Sequence, residues 1–349
     1  MTFEDARAQF PVLERYAYLN AGTNGPLARA TVEAVEQRLR ADLDGGRGGI
    51  PYFERMLELR EEARARLAAL LGVAAGHVAL TYSTTDACNV VLGGLELGPD
   101  DEIVTTDEEH FGLLGPLHAS GARVVVVEAD EQAIAGAVGP RTKLVAVSHV
   151  TWVGTVLPVE RLRELGPPIL VDGAQSVGAI AVDASSFDFY TVSCQKWLCG
   201  PDATGALYIR DPERIRIARP TYLSQASYEP TGRFVPREGA QRFDTGWVPP
   251  PSLAGLCAAI DTAPGWRHER ALEAARLCHD RLAARFDVVT ERGRATLVSW
   301  RVEDDAGEAT RRCFEHGVIV RDLPGRGVLR ASCGYWTSDE DIERLVNAL

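Results

Sequence analysis

The chain is almost without lysine. Of 37 cationic residues in 349, only Lys143 and Lys196 are lysine, and every other one is arginine. Excess positive charge is lacking too: the formal net charge is −12. That excludes a nucleic-acid partner as the expectation, because phosphate neutralisation needs a basic face. No apolar run reaches the length of about 18 residues that a membrane-spanning helix requires, so no membrane span is expected. The seven cysteines are odd in number and form no CxxC pair, which argues against a zinc knuckle or a disulfide framework and for free thiols in a reducing cytoplasm. The seven histidines form no HExxH-like cluster, so no metal site is expected. The opening MTFEDARAQFPVLERY lacks the charged-then-apolar pattern of a signal peptide, and the expected location is cytoplasmic.

What is present has the composition of a globular protein, 46% apolar and 25% charged. The length exceeds one ordinary core and points to two domains, or to one large α/β domain with a smaller appendage. Residues 29–43 and 53–71 carry apolar residues at three- and four-residue spacing, the mark of amphipathic helices. From Val73 onward, short apolar runs (HVALTY, DEIVTT, ARVVVVEA, TKLVAVSHV, PILVDG, FDFYTVSC, GALYIR) alternate with helical stretches. Fully apolar strands alternating with helices indicate a mostly parallel sheet covered on both faces. VPPPSLAG at 248–255 breaks this texture. Helices near 251–263, 266–285 and 306–316, strands FDVVTE, ATLVSWRV, VIVRDL and GVLRASC, and a closing helix from Ser338 follow, the reading of a smaller α+β domain. The expected division is an N-terminal arm over 1–17, a large domain over 18–248 and a small domain over 249–349.

Ligands of open α/β sheets bind beyond the carboxyl ends of the strands. The residues at those ends are Ser83, Thr84 and Thr85; Asp107 to His110; Ser148 and His149; Asp172 to Gln175; and Ser193 to Lys196. An aldehyde cofactor held as a Schiff base needs a lysine amine, an anion beside its pyridine nitrogen and a phosphate cradle. Lys196 can supply the amine, for which arginine is no substitute because it stays protonated. Asp172 can supply the anion. The Ser83–Thr85 run between a strand and a helix suits a phosphate dianion, although such a run also serves as an ordinary N-cap.

The sequence resembles the class V aminotransferase group of fold-type I pyridoxal-phosphate enzymes, which includes cysteine desulfurases and cystine C–S lyases. The likeness runs from YLNAGTNGPL (18–27) to the last helix. STTDACN (83–89) looks like the family's phosphate-binding turn, and EH (109–110) the segment whose histidine stacks on the cofactor ring. VDGAQ (171–175) is similar to the strand carrying the pyridine-nitrogen aspartate, here Asp172, and a glutamine near the ring hydroxyl, here Gln175. SCQKWLCGP (193–201) resembles the Schiff-base segment, which brings Ser193, Gln195 and Lys196 to the cofactor. RFDTG (242–246) resembles a motif near a dimer contact. GVLRAS (327–332) matches the segment whose arginine, here Arg330, binds the substrate carboxylate, and Asn20 and Thr23 join it as substrate-binding residues. The resemblance implies a fold-type I large domain with a mostly parallel mixed sheet, a smaller α+β C-terminal domain, pyridoxal 5′-phosphate as cofactor, an amino-acid substrate and a homodimer with sites at its interface.

Four positions depart from the family pattern: Gln195 replaces a histidine, Trp247 a threonine, Ala203 a glycine, and VTWVGTV after His149 lacks an asparagine. Cysteine desulfurases of the group carry a nucleophilic cysteine shortly before the carboxylate-binding arginine, and VIVRDLPGRGVLR (318–330) has none. KWLCGP and the YLNAGTNGPL opening are similar to the cystine lyase branch. The resemblance therefore implies β-elimination at a carbon–sulfur bond, with Lys196 as Schiff-base lysine and general base, Asp172 beside the ring and His110 stacked on it. An aminotransferase, an epimerase or a desulfurase using another cysteine are the alternatives on this scaffold, and a non-catalytic cofactor-binding protein is the remote one.

Overall fold

The computed structural model describes residues 1–303 and 305–349. The chain opens with α1 (Phe3–Ala8), β1 (Ala17–Tyr18), α2 (Arg29–Gly45) and α3 (Gly49–Leu71). Strands β2 (Val78–Thr81), β3 (Glu102–Thr106), β4 (Arg123–Val127), β5 (Thr142–Ser148), β6 (Ile169–Asp172), β7 (Phe189–Ser193) and β8 (Gly205–Ile209) then build one seven-stranded sheet, ordered β2-β8-β7-β6-β5-β3-β4. Only β8 runs against its neighbours; the other pairings are parallel. The crossovers carry α4 (Thr84–Gly94), α5 (Phe111–Ala119), α6 (Glu131–Ala137) and α7 (Val159–Leu162). Strands β2, β3, β6, β7 and β8 are buried along their whole length, which is why they read as unbroken apolar runs rather than alternating ones. The mixed α/β architecture expected from the sequence is the one the chain adopts.

Beyond β8 comes a hairpin of β9 (Gln225–Tyr228) and β10 (Phe234–Pro236), then α8 (Pro250–Thr262) and α9 (Arg267–Ala283). Next are β11 (Leu297–Arg301), α10 (Ala306–Glu315), β12 (Val318–Ile319), β13 (Arg321–Leu323), β14 (Val328–Ser332) and α11 (Asp339–Ala348). Strands β11, β14 and β13 form an antiparallel sheet in that order, around a second core that includes Trp300, Leu329 and Ile342. The N-terminal segment joins this part of the chain: β1 pairs in parallel with β12, and Arg7 holds Asp341 at 2.6 Å. Asp341 also completes a capping box with Ser338, which fixes where α11 starts.

One local expectation is corrected, and two further segments add detail. FDVVTE is not a strand; it meets β11 through a single bridge between Val288 and Trp300. PVERLREL forms one α-helical turn followed by a tighter 3-10 turn. The β9–β10 hairpin gave no signal because its strands, QASY and FVP, are short and mostly exposed and show no alternation of apolar with polar residues.

RFDTG is anchored from inside. The buried Asp244 carboxylate accepts hydrogen bonds from Arg60 Nη2 (2.8 Å), Arg64 Nη1 (3.0 Å), Arg64 Nη2 (2.8 Å) and the Leu80 backbone N–H (2.9 Å). Both arginines come from α3, and all three side chains are almost fully excluded from water. One carboxylate thus ties α3 to the strand that feeds the start of α4. Removing it strands two buried cations, a defect that costs about 3–5 kcal/mol. Asp244→Ala is expected to lower the urea unfolding midpoint accordingly, with Asp244→Asn in between; an unchanged midpoint would show the cluster to be energetically idle.

Candidate active site

The carboxyl ends of β3, β5, β6 and β7 converge on a cavity of about 160 Å³. Its walls include Ser83, Thr84, Thr85, His110, Asp172, Gln175, Ser193, Gln195 and Lys196, together with Ser148 and Trp152. Nine of the twelve residues expected from the sequence therefore share one wall, although they are spread over more than a hundred positions. Asn20, Thr23 and Arg330 are not on it; they form an adjoining layer described below.

Lys196 stands just past β7, in a turn closed by Cys199 N–H to the Lys196 carbonyl (3.0 Å) and Gly200 N–H to the Cys194 carbonyl (3.0 Å). The N-terminal loop presses on this turn: Gly25 N–H donates to the Gln195 carbonyl at 2.8 Å, and a Cβ at Gly25 would lie 2.1 Å from the Lys196 carbonyl oxygen. Only glycine permits that approach. Burial lowers the Lys196 ammonium to about 8, with Asp172 opposing the shift and Arg330 and Arg321 adding to it. Asp172 ends the neighbouring strand β6, accepts a hydrogen bond from Ala174 N–H (2.8 Å), and is pushed up by burial while Lys196 pulls it back.

His110 caps α5 at the mouth of the cavity, its Nδ1 accepting from Gly112 N–H at 3.0 Å. An imidazole that accepts at Nδ1 carries its proton on Nε2 and is neutral. The electrostatics agree: burial, then Lys196, Arg321 and Arg330, lower its pKa to about 4. Glu109, one residue earlier, is buried and accepts from Ser148 N–H (3.0 Å), Ser148 Oγ–H (2.5 Å) and Thr106 Oγ1–H (2.8 Å), and burial raises it to about 7. These bonds clamp the segment bearing His110 onto the end of β5.

Ser83 is the N-cap of α4, accepting from Asp86 N–H at 3.2 Å. The N-cap and anion-cradle readings of this run are therefore compatible: the serine oxygen serves the helix, while Thr84 Oγ1 is buried with no hydrogen-bond partner among the described residues. Asp86 fastens the turn, accepting from Tyr82 N–H (3.1 Å), from Thr245 Oγ1–H and from Arg219 (2.7 Å). Gln195 Oε1 is a second buried, unpartnered oxygen. Gln175 is committed: its Nε2 donates to the Gly22 carbonyl (2.9 Å) and its Oε1 accepts from Trp197 Nε1–H (2.9 Å).

Arg330 lies on β14, buried, with Nη1 donating to the Trp152 carbonyl (2.8 Å) and Nε and Nη2 unpartnered among the described residues. Burial and the charge of Arg321 lower its pKa to about 9. The loop bearing Asn20 and Thr23 lies against it: Asn20 bridges Ser332, and a Cβ at Gly22 would lie 2.7 Å from Arg330 Nη2. Thr23 Oγ1 donates to Asn20 Oδ1 (2.8 Å) and accepts from Arg321 Nη1 (3.1 Å), so the pair also orients Arg321. Arg321 was missed in the sequence. It sits directly opposite Arg330 across the β13–β14 ladder, an arrangement of like charges that is unfavourable by itself and suits an anion. Its nine-residue spacing from Arg330 across a Gly-containing hairpin was the available signal.

Residues 17–345 match the sequence model of the family described as Aminotransferase class-V. The chain belongs to the class V aminotransferase family. A cysteine desulfurase of Haloferax volcanii is 30% identical over 410 aligned residues, covering 98% of this chain and 95% of that protein. An isopenicillin N epimerase of Streptomyces clavuligerus is 29% identical over 399, covering 99% and 97%. Among solved structures, the cystine C–S lyase C-DES superposes with a TM-score of 0.90 at 27% identity, covering 97% of this chain and 98% of that one in the complex with its product cysteine persulfide. A mutant of C-DES with glycine covalently linked to its PLP cofactor matches equally well.

The cofactor of this class V enzyme is pyridoxal phosphate. The residues present fit it. The start of α4 offers free N–H groups and the unpartnered Thr84 hydroxyl to a phosphate; Asp172 offers a buried anion to a pyridine nitrogen, and Lys196 an amine that loses its proton readily. Because the unprotonated amine is the nucleophile, cofactor capture by the cofactor-free protein is expected to accelerate with pH around a midpoint near 8 and then level off, followed by absorbance after rapid mixing. A midpoint near the ordinary lysine value of 10.5 would contradict the buried environment.

Proposed function

We propose that this chain cleaves the carbon–sulfur bond of cysteine, cystine or an S-substituted cysteine by β-elimination, the sulfur leaving as sulfide, a persulfide or a thiol respectively and the remaining three-carbon fragment taking up water to give pyruvate and ammonia. The observation that carries this reading is the state of its cysteines: all seven are free and buried. Burial raises the pKa of Cys194 and Cys199, the two that flank Lys196, so neither offers the exposed thiolate that would accept sulfur from a substrate. With no acceptor thiol on the protein, the sulfur leaves with the product. The likeness to a cystine C–S lyase over nearly the whole chain supports the same outcome.

Pyridoxal phosphate, when bound, supplies the electron sink for a carbanion at the substrate α-carbon. Lys196 Nζ, poised near neutrality, takes the α-proton as general base. Asp172 would offer a negative charge to the ring nitrogen, and its burial would strengthen that interaction. The neutral His110 ring packs at the mouth and keeps water from the reacting carbon. Arg330 takes the α-carboxylate through its free Nε and Nη2 donors, while Arg321 opposite suits a second anionic group, as cystine has. The functional unit in this reading is a homodimer, two domains per chain: Leu43, Ile50, Phe53 and Phe111 expose between 43% and 82% of their surface, and Phe111 directly follows His110.

Epimerisation is the second reading, favoured by the full-length match to isopenicillin N epimerase, since it shares the first deprotonation. One panel separates the two. The cofactor-loaded protein is incubated in deuterated buffer with cystine, cysteine, S-methylcysteine and alanine, and pyruvate, thiol, sulfide and α-deuterium are assayed. Stoichiometric pyruvate and thiol or persulfide from a sulfur-bearing substrate is expected. Deuterium incorporation with inversion and no pyruvate would replace elimination with epimerisation.

A further inference from the structure

Trp152 occupies a crossing point that no motif indicated. It lies in a loop after β5 whose ends are bridged by Val150 and Val156 and whose core is Thr151, accepting at Oγ1 from Gly154 N–H (3.2 Å) and Thr155 N–H (3.1 Å) while donating to Glu108 (2.8 Å). Gly154 has φ +117, and a Cβ there would lie 2.7 Å from Thr290 Cγ2; on the other side Ser299 Oγ–H donates to the Val153 carbonyl at 2.6 Å. The loop is therefore rigid. It offers the Trp152 carbonyl to Arg330 (2.8 Å) and sets the indole edge-on to His110, with ring centroids 5.6 Å apart. The tip of the β13–β14 hairpin reaches across to the same residue: the Arg326 guanidinium stands 5.9 Å from the Trp152 ring centroid and donates to the Asp107 carbonyl. Leu323 and Val328, at the hairpin's base, pack with Val153 against Trp152.

We propose that Arg326 is a positioning residue, a clip that straps the β13–β14 hairpin to the end of β3 and, through Trp152, fixes Arg330 and His110 for an incoming amino acid. Arg326 touches neither cofactor nor substrate in this scheme. Its planar guanidinium covers the indole and bonds the carbonyl at once, a pairing that lysine reproduces only in part. The Trp152 wall of the cavity is then braced by a contact between two distant parts of the sequence rather than by its own loop alone. The role as a clip for an amino-acid site rests on the proposed function, and the strap itself does not.

Arg326→Ala and Arg326→Lys test it in two arms. Hydrogen exchange on the cofactor-free protein reads the strap alone: Arg326→Ala is expected to speed exchange over residues 107–112, 150–154 and 323–330 at least threefold and to leave 78–95 and the unfolding midpoint unchanged. In the cofactor-loaded protein, titration with alanine, which has no group to eliminate, is expected to show affinity weakened about tenfold in Arg326→Ala and less in Arg326→Lys, with cofactor affinity unaltered. Unchanged exchange would overturn the strap. Faster exchange with unchanged alanine affinity would reduce it to a packing contact and overturn the positioning role. If alanine left even the wild-type spectrum untouched, the amino-acid reading would fall while the exchange arm still decided the strap.

Discussion

Lys196 and Asp172 stand at the ends of adjacent parallel strands, inside protein, and each is the attraction that works against the burial of the other. Taking two such charges out of water is unfavourable, and the attraction between them across the cavity offsets part of that cost. Burial wins at the lysine, which sheds its proton near pH 8 although Asp172 opposes the loss. Two further cations, Arg321 and Arg330, add positive potential from the facing sheet and press the lysine further toward its free-base form. Burial, helped by the same potential, keeps His110 neutral. A site built this way is short of anions, and both a phosphate and an amino-acid carboxylate would supply them.

The rest of the fold reads as the means of keeping those charges in place. Gly25 lets the N-terminal loop close on the lysine turn without a side chain between them. Asp244, gripped by two arginines of α3, delivers Thr245 to Asp86, and Asp86 in turn secures the first turn of α4. Glu109 clamps the histidine segment to β5. In each case a polar side chain is spent on backbone or on another charge, which is the condition for burying it at all.

Much of this was legible in the residues. A nearly lysine-free chain that keeps one lysine at a strand end marks that position, and unbroken apolar runs separated by helical segments describe a covered parallel sheet before any coordinate is known. Asp172, His110 and the Ser83–Thr85 turn followed from their places at strand ends. What did not follow were relations between distant segments. Arg321 becomes informative only when the β13–β14 register sets it against Arg330, and Trp152 only when the hairpin tip lies over it. The bond from Arg321 to Thr23, which Asn20 shares, was likewise out of reach of the sequence, because a side chain's direction depends on which residue the fold brings near it. The exposed β9–β10 hairpin had no apolar alternation to betray it.

The account stands on the amine of Lys196 being the group that joins the cofactor. Borohydride reduction of the pyridoxal-phosphate-loaded protein, followed by proteolysis and mass spectrometry of the peptides, addresses that directly. A phosphopyridoxyl label on the peptide bearing Lys196, one per chain and absent from the Lys143 peptide, is the predicted result. A label confined to Lys143, or no stable label at all, would contradict it.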